Sequence, residues 1–143
     1  MRSTVLVGGG RSPLSLYPVM RARLQKHDLT AEEFDALDSS AVKRMLHSFD
    51  WASECERQAK SGGETCDPGF GLVVGDGHIL HICPGANGAC RVHFHFPTKR
   101  KFLGLIPKTV QQSRMWETVS LQEADRMIDR MFLGEFDALK IRV

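Results

Sequence analysis

Residues 70–96, FGLVVGDGHILHICPGANGACRVHFHF, decide the fold. Phe70, Leu72, Val74, Leu80, Ile82, Val92, Phe94 and Phe96 all occupy even positions. Successive strand side chains point to opposite faces, so each run places its even set on one side. Gly75-Asp76-Gly77 suits a tight three-residue hairpin loop, and Cys83 to Cys90 reads as a longer Pro/Gly/Asn turn. A one-residue slip at either joint would set one strand's apolar residues against its neighbour's polar ones, which specifies the register. The stretch therefore predicts a three-stranded antiparallel meander with an apolar even face. Its odd face carries Val73, Ile79, His81, Cys83, Arg91, His93 and His95.

On the N-terminal side, Thr4 to Val7 reads as a short strand closed by Gly8-Gly9-Gly10. A helix opening at Ser12-Pro13, or a turn later at Pro18, is expected to reach about Lys26 with Leu16, Val19, Met20 and Leu24 inward. Thr30 with Glu33 has the spacing of a capping box and predicts a short helix ending near Leu37. Asp38-Ser39-Ser40 opens a longer helix whose apolar stripe is Val42, Met45, Leu46, Phe49 and Ala52. On the C-terminal side, Phe102 to Ile106 is a strand or an irregular stretch, and Met115 to Val119 a strand. Ser120 with Glu123 is a second capping box; Leu121, Ala124, Met127, Ile128, Met131 and Phe132 form a helical stripe before Gly134. Leu139, Ile141 and Val143 alternate with bases, as an edge strand would. The expected architecture is one α+β domain over residues 1–143, with N-terminal helices packed on the meander and an amphipathic C-terminal helix.

At 143 residues, 42% apolar and 25% charged, the composition is that of an ordinary globular domain with a core of its own. A formal charge of +2 does not argue for nucleic acid. No apolar run approaches the roughly 18 residues of a membrane span. The N-terminus lacks the apolar core, roughly 7–15 residues long, of a secretory signal. A cytoplasmic chain without membrane partners is expected, with Cys55, Cys66, Cys83 and Cys90 as thiols; a Cys83–Cys90 bridge across the hairpin is the open alternative.

His78, His81, Cys83, Cys90, His93 and His95 form the densest chemical cluster. Imidazole and thiolate are natural zinc ligands, and His81, Cys83, His93 and His95 share the odd face if position 81 pairs with 93. The spacing matches no established zinc signature, and histidines on an open sheet face are common without metal. Val5 to Ser12 looks superficially like a phosphate loop, but the full glycine spacing is absent and a glycine turn is the simpler reading. No local signature joins a nucleophile to a base and an orienting carboxylate, so neither an enzyme nor a cofactor is expected. Charge is uneven: Asp28 to Asp38 holds five acids and no base, while Lys99 to Arg114 holds five bases and no acid. An acidic helix steers a basic partner; a basic segment suits phosphate, though stacking aromatics are sparse around it.

Gly69 to Pro97, Val119 to Ala124 and Phe132-Leu133-Gly134-Glu135-Phe136 together resemble small bacterial immunity proteins that accompany polymorphic or type VI secreted toxins. In these compact α+β domains a glycine-containing hairpin and a polar/aromatic strand precede an amphipathic helix that ends aromatic, residue, glycine, acid, aromatic. The resemblance covers the C-terminal half and implies a cytoplasmic, stoichiometric inhibitor of a cognate secreted toxin, with a nuclease as the first candidate. Nuclease-masking members are often distinctly acidic, unlike this slightly basic chain, which argues against simple DNA mimicry. Exposure and charge nominate Glu32, Glu33 and Asp35 together with Arg91, His93 and His95 for the partner surface. Trp51 and Trp116 are either anchors there or core. The alternative is a metal- or small-ligand-binding domain using His81, Cys83, His93 and His95, and a third reading is nucleic-acid binding through Lys99 to Arg114.

Overall fold

The computed structural model describes residues 20–36, 38–62 and 67–141. The strand expected at Thr4–Val7, its glycine turn, the start of the first expected helix and Val143 lie outside them. The described residues form a six-stranded antiparallel sheet and four helices. Strands β1 (Met20–Gln25), β2 (Ala31–Asp35), β3 (Gly69–Val74), β4 (Ile79–Pro84), β5 (Ala89–Phe102) and β6 (Ile106–Ser120) run in the order β2-β1-β3-β4-β5-β6. Helices α1 (Ser39–Ser48) and α2 (Trp51–Ser61) link β2 to β3, and α3 (Leu121–Leu133) and α4 (Phe136–Lys140) follow β6.

The meander is present in the expected register, with His81 opposite His93 and Leu72 opposite Leu80. The Val74 N–H donates to the His78 carbonyl at 2.9 Å, closing the three-residue loop, and Gly77 takes the left-handed φ of 99° that the loop requires. The second joint is shorter than expected. The Gly85 N–H donates to the Ala89 carbonyl at 2.8 Å, so Cys83 stays in β4 and Cys90 in β5. Cys83 pairs with Arg91 and Cys90 with Pro84, which places the two thiols on opposite faces and excludes a bridge between them. Every residue of the even set from Phe70 to Phe96 is buried.

These residues, with Ala22 and Leu24 of β1, pack against Val42, Leu46, Trp51, Ala124, Met127, Ile128, Met131 and Leu139, so the helices cover the even face. The Ser120 hydroxyl accepts from the Glu123 N–H, and Gly134 closes α3 with φ 71°, as the stripe and caps predict. Lys43 to Asp129 and His47 to Asp125, each 2.8 Å, tie α1 to α3.

Four expectations are corrected. Residues 20–25 are a strand: Arg21, Ala22, Arg23 and Leu24 alternate exposed and buried, a period of two that pairing with β3 selects over the helical reading of Met20 and Leu24. Residues 31–35 are an edge strand, because Thr30 is drawn into the preceding turn, its N–H and hydroxyl both donating to Asp28 Oδ1 (3.0 and 2.6 Å). The long helix after Asp38 is broken at Asp50, whose carboxylate caps α2, leaving Met45 and Ala52 exposed. Leu139 lies in α4 rather than in an edge strand, its side chain buried on the helical layer.

Candidate functional site

Among the described residues helices cover one face of the sheet only, and the other face carries no helix. Its central strands present Val73, Ile79, His81, Cys83, His93 and His95, all partly accessible, beside exposed Arg91. Glycine shapes this face. Gly69 and Gly71 alternate along β3 and offer no side chain, so β3 forms the floor of a concavity of about 520 Å³. Arg23, Gln25, Val73, Ile79, His81, His95 and Gln111 surround that floor. His81 lies over Gly69 so closely that a Cβ there would stand 2.6 Å from its Nε2. Gly71 has room: a Cβ would meet nothing nearer than 3.9 Å.

Burial, then the neighbouring His93, His95 and Arg23, push the His81 pKa below that of free imidazole; burial and His93 do the same for His95. Both are neutral at physiological pH and act as hydrogen-bond donors and acceptors rather than cations. Arg23 makes no ion pair or hydrogen bond among the described residues. The concavity is thus largely apolar, floored by glycine, with one guanidinium and neutral imidazoles at its margin.

Cys83 Sγ lies 3.7 Å from His81 Nδ1. Burial, helped by Asp67, pushes this thiol up to about 12, and burial pushes Cys90 to about 11. Both are protonated thiols at neutral pH, the reverse of an activated nucleophile. The His81–His93 and His93–His95 ring centroids are 6.1 and 6.2 Å apart, spaced along the sheet rather than converging. Among the described residues no group of three or more His, Cys, Asp and Glu side chains is arranged to hold a metal ion.

The chain matches no known family model, no curated protein and no solved structure.

The nominated partner residues are brought together only in part. Glu33 and Asp35 share the open face with Arg91, His93 and His95, but β2 and β5 stand four strand spacings apart, about 19 Å. Glu32, of opposite parity, belongs to the other face. The acids also lie on an edge strand, not on a helix, and are partly compensated: Glu33 pairs with Arg21 at 3.5 Å and Glu32 with Lys26 at 3.4 Å. Arg91 is held by Glu117 and Asp67, each at 3.0 Å. Trp51 is core, its Nε1–H donating to the Leu46 carbonyl at 2.7 Å, and Trp116 packs partly against the helical side, so neither anchors the open face.

Sequence reasoning misses Arg23 and the glycine floor, because the helix expected to reach Lys26 includes Arg23, which the structure places in β1. Its alternation with Ala22 and Leu24 was the available signal. It also missed Glu54, which is 3% exposed, accepts from the His27 N–H (3.0 Å) and Arg57 (2.9 Å), and lies 2.6 Å from His27 Nδ1. No helix among the described residues is long and apolar enough to cross a membrane.

Proposed function

We propose that this chain is a non-catalytic binding protein whose open sheet face receives another protein, and that it serves as an immunity protein against a cognate secreted toxin. The observation that carries the reading is a six-stranded sheet that, among the described residues, helices cover on one side only, leaving His93 and His95 partly accessible on the other side, one strand in from the β6 edge. A face of that width, with a partly apolar centre and charged margins, has the composition of a protein interface. The C-terminal resemblance supplies the kind of partner, a cytoplasm-directed toxin of nuclease type. Acids at the β2 margin favour a basic surface opposite them and accelerate encounter with it.

The test is co-expression with the secreted effector encoded beside the gene, followed by association kinetics at low and high salt. Wild type is expected to protect the host and bind stoichiometrically. His93→Asp with His95→Asp should abolish protection, and Glu33→Lys with Asp35→Lys should slow association and blunt its salt dependence. Failure of the wild-type chain to bind any secreted effector of its host overturns the proposal.

The concavity favours a second reading, a small-ligand site. Its volume lies within the range of small-molecule pockets, roughly 300–1,000 Å³, and a lone guanidinium beside a flat glycine floor suits an aromatic anion.

A further inference from the structure

Strands β5 and β6 outrun the rest of the sheet. β4 begins at Ile79, opposite His95, so from Phe96 onward β5 and β6 continue as a two-stranded ribbon. The stretch from Thr98 to Phe102 alone carries the ribbon about 13 Å outward. Its apex is apolar: Phe102, Leu103, Leu105 and Ile106 are 60%, 83%, 87% and 61% exposed. Soluble surfaces scatter single apolar side chains, but four large ones contiguous at a projecting tip mark an interaction site.

The turn itself points the same way. Leu103 and Gly104 both hold positive φ, 54° and 73°, a conformation for which Asn, Asp or Gly is the usual first residue. Leucine is disfavoured there by its backbone and, being exposed, gains nothing from the protein's own core. A partner that buries the side chain would account for its presence.

Behind the tip stand Lys99, Arg100, Lys101 and Lys108, which make no ion pair among the described residues. Arg100 is directly opposite Lys108, a like-charge cross-strand pair that weakens the ribbon unless anions surround it. Lys99 and Lys101 lie on the other face of the ribbon, so the four bases form a collar around it. An arm lying in a nucleic-acid groove would concentrate bases on one face along its length. A collar behind an all-apolar apex instead matches a bilayer, with hydrocarbon below and anionic headgroups at the level of the bases.

We propose that the β5–β6 ribbon docks onto anionic lipid surfaces, its tip entering the headgroup–acyl boundary. This is independent of the partner proposed for the sheet face. It departs from the sequence expectation of no membrane partner, which rested on the lack of a spanning segment.

The test is co-sedimentation of the full chain with vesicles of phosphatidylcholine mixed with phosphatidylserine, and with vesicles of phosphatidylcholine alone. Binding is expected to the mixed vesicles, to fall with added salt, and to be weak on phosphatidylcholine. Arg100→Gln with Lys108→Gln should lower partitioning ~25-fold, and Leu103→Ser with Leu105→Ser ~100-fold. Leu103→Asn separates docking from folding: it suits the left-handed backbone better, so the melting temperature should hold or rise while partitioning falls ~10-fold. No sedimentation with the mixed vesicles overturns the proposal. So does undiminished binding by the Leu103/Leu105 variant. Binding to duplex DNA but not to vesicles would likewise overturn it, and would assign the ribbon to a nucleic-acid groove.

Discussion

Replacing Glu54 by Gln tests how the N-terminal hairpin is fastened to the helical layer. Glu54 sits on α2 and reaches the turn between β1 and β2, where both the N–H and the ring of His27 meet Oε2. Glutamine preserves the shape and one acceptor, so the variant removes charge and little else. Hydrogen bonds to a buried charged group contribute about 1.5–3 kcal/mol each. The Arg57 partner is 60% exposed, so that pair is screened and adds about 1 kcal/mol or less. Because Gln still accepts from the His27 N–H, the net loss should be about 2–3 kcal/mol. For a domain of this size that lowers the melting temperature by about 5–10 °C. Burial alone would raise the Glu54 carboxyl; the His27 N–H, the His27 ring and Arg57 outweigh it and hold the group below its ordinary 4.5. The stabilisation is therefore fully present above the unfolded value and is lost as pH falls through the lower folded one. Urea unfolding of both proteins, from neutrality down into that acid window, should show two stability curves that converge. A gap of constant size across the window would refute the reasoning and leave Glu54 with a packing role only.

Two further outcomes follow from the same geometry. Phe94→Ala opens a cavity beneath Phe96 and should cost about 3–5 kcal/mol by chemical denaturation, whereas His93→Ala on the open face should cost about 1 kcal/mol or less; equal losses would reverse the face assignment. A Cβ at Gly71 meets nothing nearer than 3.9 Å, so Gly71→Ala and the larger Gly71→Val project into the concavity and should reduce and abolish, respectively, fluorescence enhancement of an aromatic sulfonate such as anilinonaphthalene sulfonate, as should Arg23→Gln, while Arg21→Gln leaves it intact; equal enhancement in all the variants would remove the small-ligand reading.

The meander and α3 were legible because each has one buried face, and burial imprints a period on sequence. The three strands between Phe70 and Phe96 alternate in one shared parity, and Leu121 to Phe132 repeat at helical spacing between two cap signals. The β1–β2 hairpin was illegible for the opposite reason. β2 is a five-residue edge strand whose only inward large apolar side chain is Phe34, and its Ala, Glu and Asp favour helix locally until β1 supplies backbone partners. The outer ribbon escaped notice because both its faces are wet: Pro107 to Gln112 carry no alternation to read. Of the candidate site, the histidine column and its register were foreseen. The concavity was not, since it is made by the absence of side chains at Gly69 and Gly71 and by an arginine whose strand was misassigned.

The two outer strands of the described sheet differ in how they would meet another copy of the chain. Two β2 edges laid antiparallel about Glu33 would set the two Glu33 carboxylates directly opposite each other, with Glu32 and Asp35 of both molecules close by, and repulsion opposes that pairing. No such repulsion guards β2 against β6, whose charges include Lys108, Arg114 and Glu117. Self-pairing of two β2 edges is therefore disfavoured, while the β2-to-β6 pairing that charge leaves unopposed is head-to-tail, a geometry that adds copies in a line wherever its rotation does not close into a ring.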